Sequence, residues 1–358
     1  MTLSRRAFVS LPLAAVLAGH TSAQEGEAER PYWPTKQWSR SRPERQGMDP
    51  ALLEQAGQIV ASEMPDVTGL LVIRHGYVVF ERYFGSAYGR NDPVKIRSIT
   101  KSFVGTLIGI ALADGKLESL DQTIGESIPD RIPSKADPGT PNITIRHLLT
   151  MTSGWQWDIG TDYQRLIASK NWSALTLSLP IAYEPGTFYA YNTGGSHLLS
   201  VILTTVTEQD TADYAQEKLF DPLGIARPTW QRSPQHETVG GFGLELTARE
   251  LAKLGYLYLN GGQWDGRQVV PADYVKAATS YQSTGDSTGY AAYGYQWWVA
   301  DVAGMPSFFG LGFGGQYLYV VPALDLIAVV VAGFETAPPV TIHRPVIENV
   351  IVPAVVGE

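Results

Sequence analysis

Apolar residues recur along the chain with more than one spacing, and the spacing assigns the elements. In "DPALLEQAGQIVASE" they return every three or four positions behind Asp49 and Pro50, which predicts an amphipathic helix with an acidic N-cap and proline in its first turn. In "TGLLVIR" and "YVVFERYF" they form two short runs separated by His75-Gly76, which predicts a β-hairpin. Phe103 to Ala113 is apolar nearly all round, the pattern of a helix buried on every side, and Gly115 closes it. Further helices are predicted over 144–150, 194–206, 211–220 and 247–260, the last opened by the capping box Thr247 and Glu250. Beyond Ala292 the runs shorten again into the strands "YGYQWWVA", "QYLYVVP" and "LIAVVVAGF", with Pro322 to Asp325 turning the last pair. The amphipathic run Ile342 to Val356 predicts a C-terminal helix.

Helix and strands at both ends of the chain, around a helical middle, imply an α/β layer built by the two ends, 49–97 and 290–358, with an all-helical domain, 98–289, inserted between them. Residues 24–48 are polar and proline-bearing and form a lead-in. A chain of 358 residues with 44% hydrophobic content can bury a full core. Charged residues make up 17% and the formal net charge is −8, so the chain lacks the basic footprint of a nucleic-acid or anionic-membrane binder, and a small-molecule partner is expected.

The chain opens with "MTLSRRAFVSLPLAAVLAGHTSAQ". A basic pair, Arg5-Arg6, precedes an apolar run too short to span a bilayer, and Thr21-Ser22-Ala23 suits a cleavage site. Residues 1–23 are expected to be an export signal, of the twin-arginine type from Ser4-Arg5-Arg6-Ala7-Phe8, leaving a periplasmic or secreted protein without a stable membrane anchor. With no cysteine, disulfides and thiolate chemistry are excluded, and the six histidines show no metal-ligand spacing, so neither metal nor organic cofactor is expected.

In "RSITKSFVG", Ser98 and Lys101 stand three apart at the start of the buried helix, a spacing that puts both side chains on one face. Ser98 has two readings: a helix cap, or a nucleophile with Lys101 as its base. A cap favours Glu or Gln three positions on, whereas an amine at the mouth of a buried helix is desolvated and close to the positive dipole end, both of which favour its neutral, basic form. The hydroxyl would also lie among unpaired backbone N–H groups able to hold an oxyanion. Ser287, in the Gly-x-Ser-x-Gly of "GDSTG", competes as nucleophile, although its polar, glycine-rich setting lacks the strand and helix that motif needs.

The phrases "SITKSFVGTLIGIALADGKLESLDQTI", "ITIRHLLTMTSGW", "PGTFYAYNTGGSHLLS", "LTARELAKLGYLYLNGG" and "GFGGQYLYVVP", in this order, resemble the penicillin-recognising serine hydrolases, particularly the class C β-lactamase-like esterases and 6-aminohexanoate-dimer hydrolases. The resemblance implies an antiparallel sheet flanked by N- and C-terminal helices, with an inserted helical domain. It places the nucleophile and base on Ser98 and Lys101. The family's Tyr-x-Asn falls on Tyr191, with Thr193 at the third position and Tyr189 as a rival. The family's Lys-Thr-Gly is missing. Phe313-Gly314-Gly315 stands on the corresponding strand, similar to the Trp-Gly-Gly of the esterases, with the Gln316 N–H as oxyanion donor beside that of Ser98. Without the lysine, a substrate carboxylate loses its partner. Trp155, Trp157, Trp297 and Trp298 are candidates for an apolar acyl pocket or for core.

The expected activity is that of an exported serine hydrolase working through an acyl-enzyme on carboxylic esters or small amides. The alternatives are a β-lactamase or D,D-peptidase and a non-catalytic binding protein of the same fold.

Overall fold

Strand β1 (Val67–Arg74) and strand β2 (Tyr77–Tyr83) form the expected hairpin, and His75 (φ 51°) with Gly76 (φ 79°) supplies the two positive φ values of a tight turn that matches strand twist. From the C-terminal third come β3 (Ala292–Tyr293), β4 (Trp298–Val302), β5 (Met305–Gly312), β6 (Gln316–Val321) and β7 (Leu326–Ala332). Among the described residues these seven make one antiparallel sheet in the order β2-β1-β7-β6-β5-β4-β3, so the two ends of the chain join between β1 and β7. The computed structural model describes residues 30, 32–86, 88–285, 291–333 and 343–356. The expected export signal and Ser287 lie outside them.

Two departures from the predicted pattern bear on the site. The run "YGYQWWVA" is not one strand: it breaks between β3 and β4, where Gln296 adopts φ 61°. And β5 is an additional strand, "MPSFFGLG", whose proline and two glycines give no strand signal.

Side-chain alternation gives the sheet two faces. Leu71, Ile73, Leu318, Val320, Ile327 and Val329 point to one core, which also takes in the helical middle of the chain. Leu70, Val72, Tyr317, Tyr319, Ala328 and Val330 point to the other, where α1 (Pro50–Glu63) packs Leu53, Ala56 and Val60 alongside Ile347 and Ile351. The C-terminal run is shorter than expected, one helical turn, Arg344–Val346, followed by a wider π turn over Ile347–Ile351.

On the first face lie α2 (Thr100–Ala113), α3 (Ile145–Leu149), α4 (Trp172–Leu177), α5 (Thr193–Thr207) and α6 (Ala248–Leu259). The capping boxes at Thr144 and Thr247 form as reciprocal side-chain and backbone bonds. The predicted helix over 211–220 begins as α-helix, Thr211–Ala215, and widens to a π turn over Gln216–Phe220. α6 rides close on the sheet because Gly255 has no side chain: a Cβ there would lie 2.9 Å from Leu318 Cδ1.

Candidate active site

The chain reaches α2 through a strained turn. Arg97 adopts φ 54°, a left-handed conformation that costs a non-glycine residue on the order of 1 kcal/mol or more. Ser98 follows in the 3-10 turn Arg97–Ile99, ahead of α2. The turn is clasped from outside, with the Ile96 N–H donating to the Leu244 carbonyl (3.0 Å) and the Leu244 N–H to Thr100 Oγ1 (3.3 Å). No side chain caps this end of the helix. The Ser98 hydroxyl instead accepts from Lys101 Nζ at 3.1 Å.

Lys101 is only 1% exposed. Its Nζ also donates to the Gly241 carbonyl at 2.7 Å and lies 4.9 Å from the centre of the Tyr191 ring. No carboxylate is among the groups that shift it, and burial pushes its pKa down to about 7. An amine with that pKa is substantially neutral at physiological pH and can accept a proton.

Tyr191 directly precedes Asn192, the N-cap of α5, whose Oδ1 accepts from the Gly195 N–H at 2.9 Å. This cap sets where the tyrosine projects. Burial pushes its phenol up to about 12, opposed by a hydrogen bond with the Ser98 side chain. The Tyr191 ring stacks on the indole of Trp298, centroids 5.6 Å apart and 20° between planes. Tyr191 thus meets both Ser98 and Lys101, while Tyr189 packs its ring on Tyr293 at 5.6 Å. Thr193, the first residue of α5, is buried against Gly241, where a Cβ would lie 2.6 Å from Thr193 Cγ2.

The third wall differs from expectation. Phe313, Gly314 and Gly315 are not strand: they form the turn between β5 and β6, closed by the Gly315 N–H on the Gly312 carbonyl (3.1 Å), and the φ values of 83° and 86° at Gly314 and Gly315 are what a glycine pair permits. Gln316 opens β6, its buried side chain bonded to both the carbonyl and the N–H of Ala332. The strand lying against the Ser98 turn is β5. A Cβ on Gly312 would sit 2.6 Å from the Ile96 carbonyl oxygen and 3.1 Å from Arg97 Cβ, and one on Gly310 2.8 Å from Ile99 Cγ2. β4 stops pairing at Trp298 opposite Phe309, so Leu311 to Phe313 has no strand on its outer edge among the described residues. Phe313, 49% exposed, tips this edge.

Of the four tryptophans, Trp155 and Trp297 are core and Trp157 packs partly buried against it, whereas Trp298 touches a site residue. Gln296, missed in the sequence, is a buried polar staple. Its carbonyl accepts from Ser102 Oγ on α2 (2.8 Å), its Oε1 from Ser196 Oγ on α5 (2.8 Å), and its Nε2 donates to the Leu148 and Leu149 carbonyls of α3 (3.0 Å). The helices carrying Lys101 and Thr193 are thereby tied to one residue. The available signal was a lone amide inside an aromatic run, which a buried position requires to be fully bonded.

The family model described as Beta-lactamase matches residues 53–349. A 6-aminohexanoate-dimer hydrolase from Paenarthrobacter ureafaciens is 24% identical over 301 residues, 75% of this chain and 76% of that one. Esterase EstB from Burkholderia gladioli is 29% identical over 177 residues, 43% of this chain and 44% of that one. Among solved structures, the octameric penicillin-binding protein homologue from Pyrococcus abyssi superposes with a TM-score of 0.67 at 20% identity, covering 85% of this chain and 78% of that one.

Proposed function

The chain belongs to the beta-lactamase family of serine hydrolases, and from that premise we propose that Ser98 is its nucleophile and that neutral carboxylic esters or small amides are its substrates. The observation that carries the assignment is Lys101: a lysine 1% exposed, its pKa lowered to about 7, with Nζ 3.1 Å from Ser98 Oγ. Neutral Lys101 takes the Ser98 proton as Oγ attacks the substrate carbonyl. The oxyanion is held by the Ser98 N–H at the head of α2 and, across the site, by an N–H at the end of β5. We assign that second donor to Phe313 rather than Gln316, because the Gly312 carbonyl faces the hairpin and alternation turns its neighbours' N–H groups the other way.

The proton then passes from Lys101 through the Tyr191 hydroxyl to the leaving alkoxide or amine, which departs and leaves the acyl group on Ser98. Water attacks the acyl-enzyme, its proton returns along the same path, and the carboxylic acid leaves as Ser98 is reprotonated. The neutral-substrate preference is supported by the apolar Phe313 at the β5 tip and by the lack of a Lys-Thr-Gly, whose lysine would pair with a carboxylate. The names of the hydrolase and esterase relatives agree with amides and esters. Residues 1–23 we read as an export signal, which places the mature enzyme in the periplasm or the medium.

The test is a fluorophosphonate probe with mass-spectrometric mapping, run beside a panel of p-nitrophenyl acetate and butyrate, linear amide dimers, D-amino acid peptides and nitrocefin. An adduct on the Ser98 peptide and fastest turnover of a short ester are expected. An adduct on Ser287, or nitrocefin as the best substrate, overturns the proposal.

A further inference from the structure

Lys101 is held from behind by a backbone segment, and that segment is held in turn by a buried histidine and its partly buried carboxylate partner, both absent from the mechanism above. His197, on α5, is fully buried. Its Nδ1 lies 3.4 Å from the Gly240 nitrogen and its Nε2 3.2 Å from Glu237 Oε2. A backbone N–H can only donate, so Nδ1 is the acceptor and the ring proton sits on Nε2, aimed at the carboxylate. Glu237 is itself fixed, taking a bond from Ser173 Oγ at 3.0 Å and pairing with Arg131 at 2.8 Å. Trp172 sets its ring edge against the imidazole, centroids 5.6 Å apart at 77°.

The residue after Gly240 is Gly241, whose carbonyl receives Lys101 Nζ at 2.7 Å. The pair of glycines threads close against α5: a Cβ on Gly240 would lie 2.3 Å from the Ser196 carbonyl oxygen. The residues just before it are tied elsewhere, the Thr238 carbonyl accepting from Ser200 Oγ at 2.7 Å and the Val239 carbonyl from Trp230 Nε1 at 2.8 Å. At Gly240 itself the backbone N–H is held by the bond into His197, one residue before the carbonyl that meets Lys101.

We propose that His197, oriented by Glu237, is a positioning residue that fixes the Gly240–Gly241 backbone and so keeps the Gly241 carbonyl on Lys101. The proposal rests on the reading of Lys101 as the base. The charged groups around this chain are Glu237 and Arg131 on the imidazole side, Lys101 beyond Gly241, and Asp210 with Arg232, reached through Thr238 Oγ1 at 2.9 Å from Asp210 Oδ1. The faces offered by α4, Trp172 and Ser173, are uncharged.

Two amide substitutions separate the ring's two bonds, since asparagine places an oxygen near Nδ1 and glutamine a polar group near Nε2. kcat and the pH profile of kcat/KM would be measured with p-nitrophenyl acetate, alongside melting temperatures. His197→Gln, which keeps the Glu237 contact and loses the acceptor for Gly240, is expected to lower kcat by about a hundredfold and to displace the acid limb. His197→Asn, which keeps that acceptor, is expected to restore most of the rate and the wild-type limb. Glu237→Gln, which removes the charge that orders the ring, is expected to displace the limb in the same direction as His197→Gln, and it carries the test if the latter does not fold. Folded variants with wild-type kcat and limb, altered only in melting temperature, overturn the positioning role while leaving Ser98 and Lys101 as assigned. A wild-type enzyme inactive on every ester and amide overturns both.

Discussion

The Lys101 amine nitrogen lies 2.7 Å from the Gly241 carbonyl oxygen, a contact made across 140 residues of sequence. A neutral amine has two N–H donors and one lone pair. With one N–H committed to Gly241 and the stem buried in α2, the remaining freedom is rotation about the last carbon–nitrogen bond, and Ser98 Oγ at 3.1 Å lies where the lone pair can take its proton. The carbonyl and the Tyr191 ring face, 4.9 Å away, also give the protonated form partial compensation for its lost water, so the lysine can be charged and neutral within one catalytic cycle.

That balance sets the pH profile. With Lys101 lowered to about 7 by burial, kcat/KM is expected to fall by about tenfold per pH unit below that value. Tyr191, raised to about 12 by burial, contributes no limb in the neutral range. A profile flat down to pH 5, measured with an ester whose own hydrolysis is pH-independent there, would remove Lys101 as the base.

Burying the Lys101 amine costs stability, with a predictable sign. Lys101 titrates near 7 in the folded protein and at the ordinary 10.5 when unfolded, so below about pH 7 both states are protonated and the whole desolvation cost is present. Between those values the unfolded chain holds a proton the folded one has released, and stability rises with pH. Lys101→Met should therefore be inactive yet more stable than wild type at pH 6, by at least about 1 kcal/mol, with the advantage shrinking by pH 9. Denaturant midpoints at the two pH values check it; a variant less stable at pH 6 than at pH 9, relative to wild type, contradicts the burial argument.

Tyr191→Phe keeps the ring stacked on Trp298 and over Lys101 and removes only the hydroxyl bonded to Ser98. Melting temperature is expected to be nearly unchanged and kcat to drop by about 10²–10⁴-fold, the usual loss of general acid–base help. If acylation measured by single-turnover kinetics proceeds at the wild-type rate with a good leaving group, the loss should reappear with a poor one, since in the proposed mechanism the phenol protonates the leaving group.

How much of this was legible before the structure depended on how local each feature is. Ser98 and Lys101 are one helical turn apart, so spacing alone brings them together. The two faces of the sheet were visible as runs in β1, β6 and β7, because strands buried on both sides are apolar throughout. β5 was not, because Pro306, Gly310 and Gly312 break the pattern where the strand must pass close to the Ser98 turn. The same closeness explains the misplacement of Phe313-Gly314-Gly315: their glycines signal backbone freedom, and sequence does not say whether that serves a substrate-lining strand or a turn. Gln296 and His197 are polar residues whose partners lie on other elements, and no periodicity encodes such pairings.

Export is expected to depend on Arg5 and Arg6. A twin-arginine receptor reads the pair itself, whereas a general secretory signal needs only positive charge. Replacing both by lysine should leave precursor in the cytoplasm, visible by fractionation and immunoblotting. Normal export of the double variant would instead assign residues 1–23 to the general route.

Gly312→Ala tests whether the end of β5 is part of the site. A methyl there would meet the Ile96 carbonyl oxygen at 2.6 Å, Gln316 Cβ at 2.8 Å and Arg97 Cβ at 3.1 Å, closer than real Cβ contacts to backbone come, so the strand end and the Ser98 turn must move apart. Overpacking of that kind costs about 1–3 kcal/mol, which a fold of this size survives. The larger effect should be on chemistry, because the Ser98 N–H and the proposed Phe313 N–H sit on the two segments being separated and both must reach one oxyanion. Loss of a single such donor costs about 10²–10³-fold in kcat. The expected outcome is a folded Gly312→Ala protein that still labels slowly with a fluorophosphonate but turns over esters at least about a hundredfold more slowly, with KM little changed. A variant that loses stability but keeps kcat would place the second oxyanion donor elsewhere, and Gln316, on the neighbouring strand, would return as the candidate.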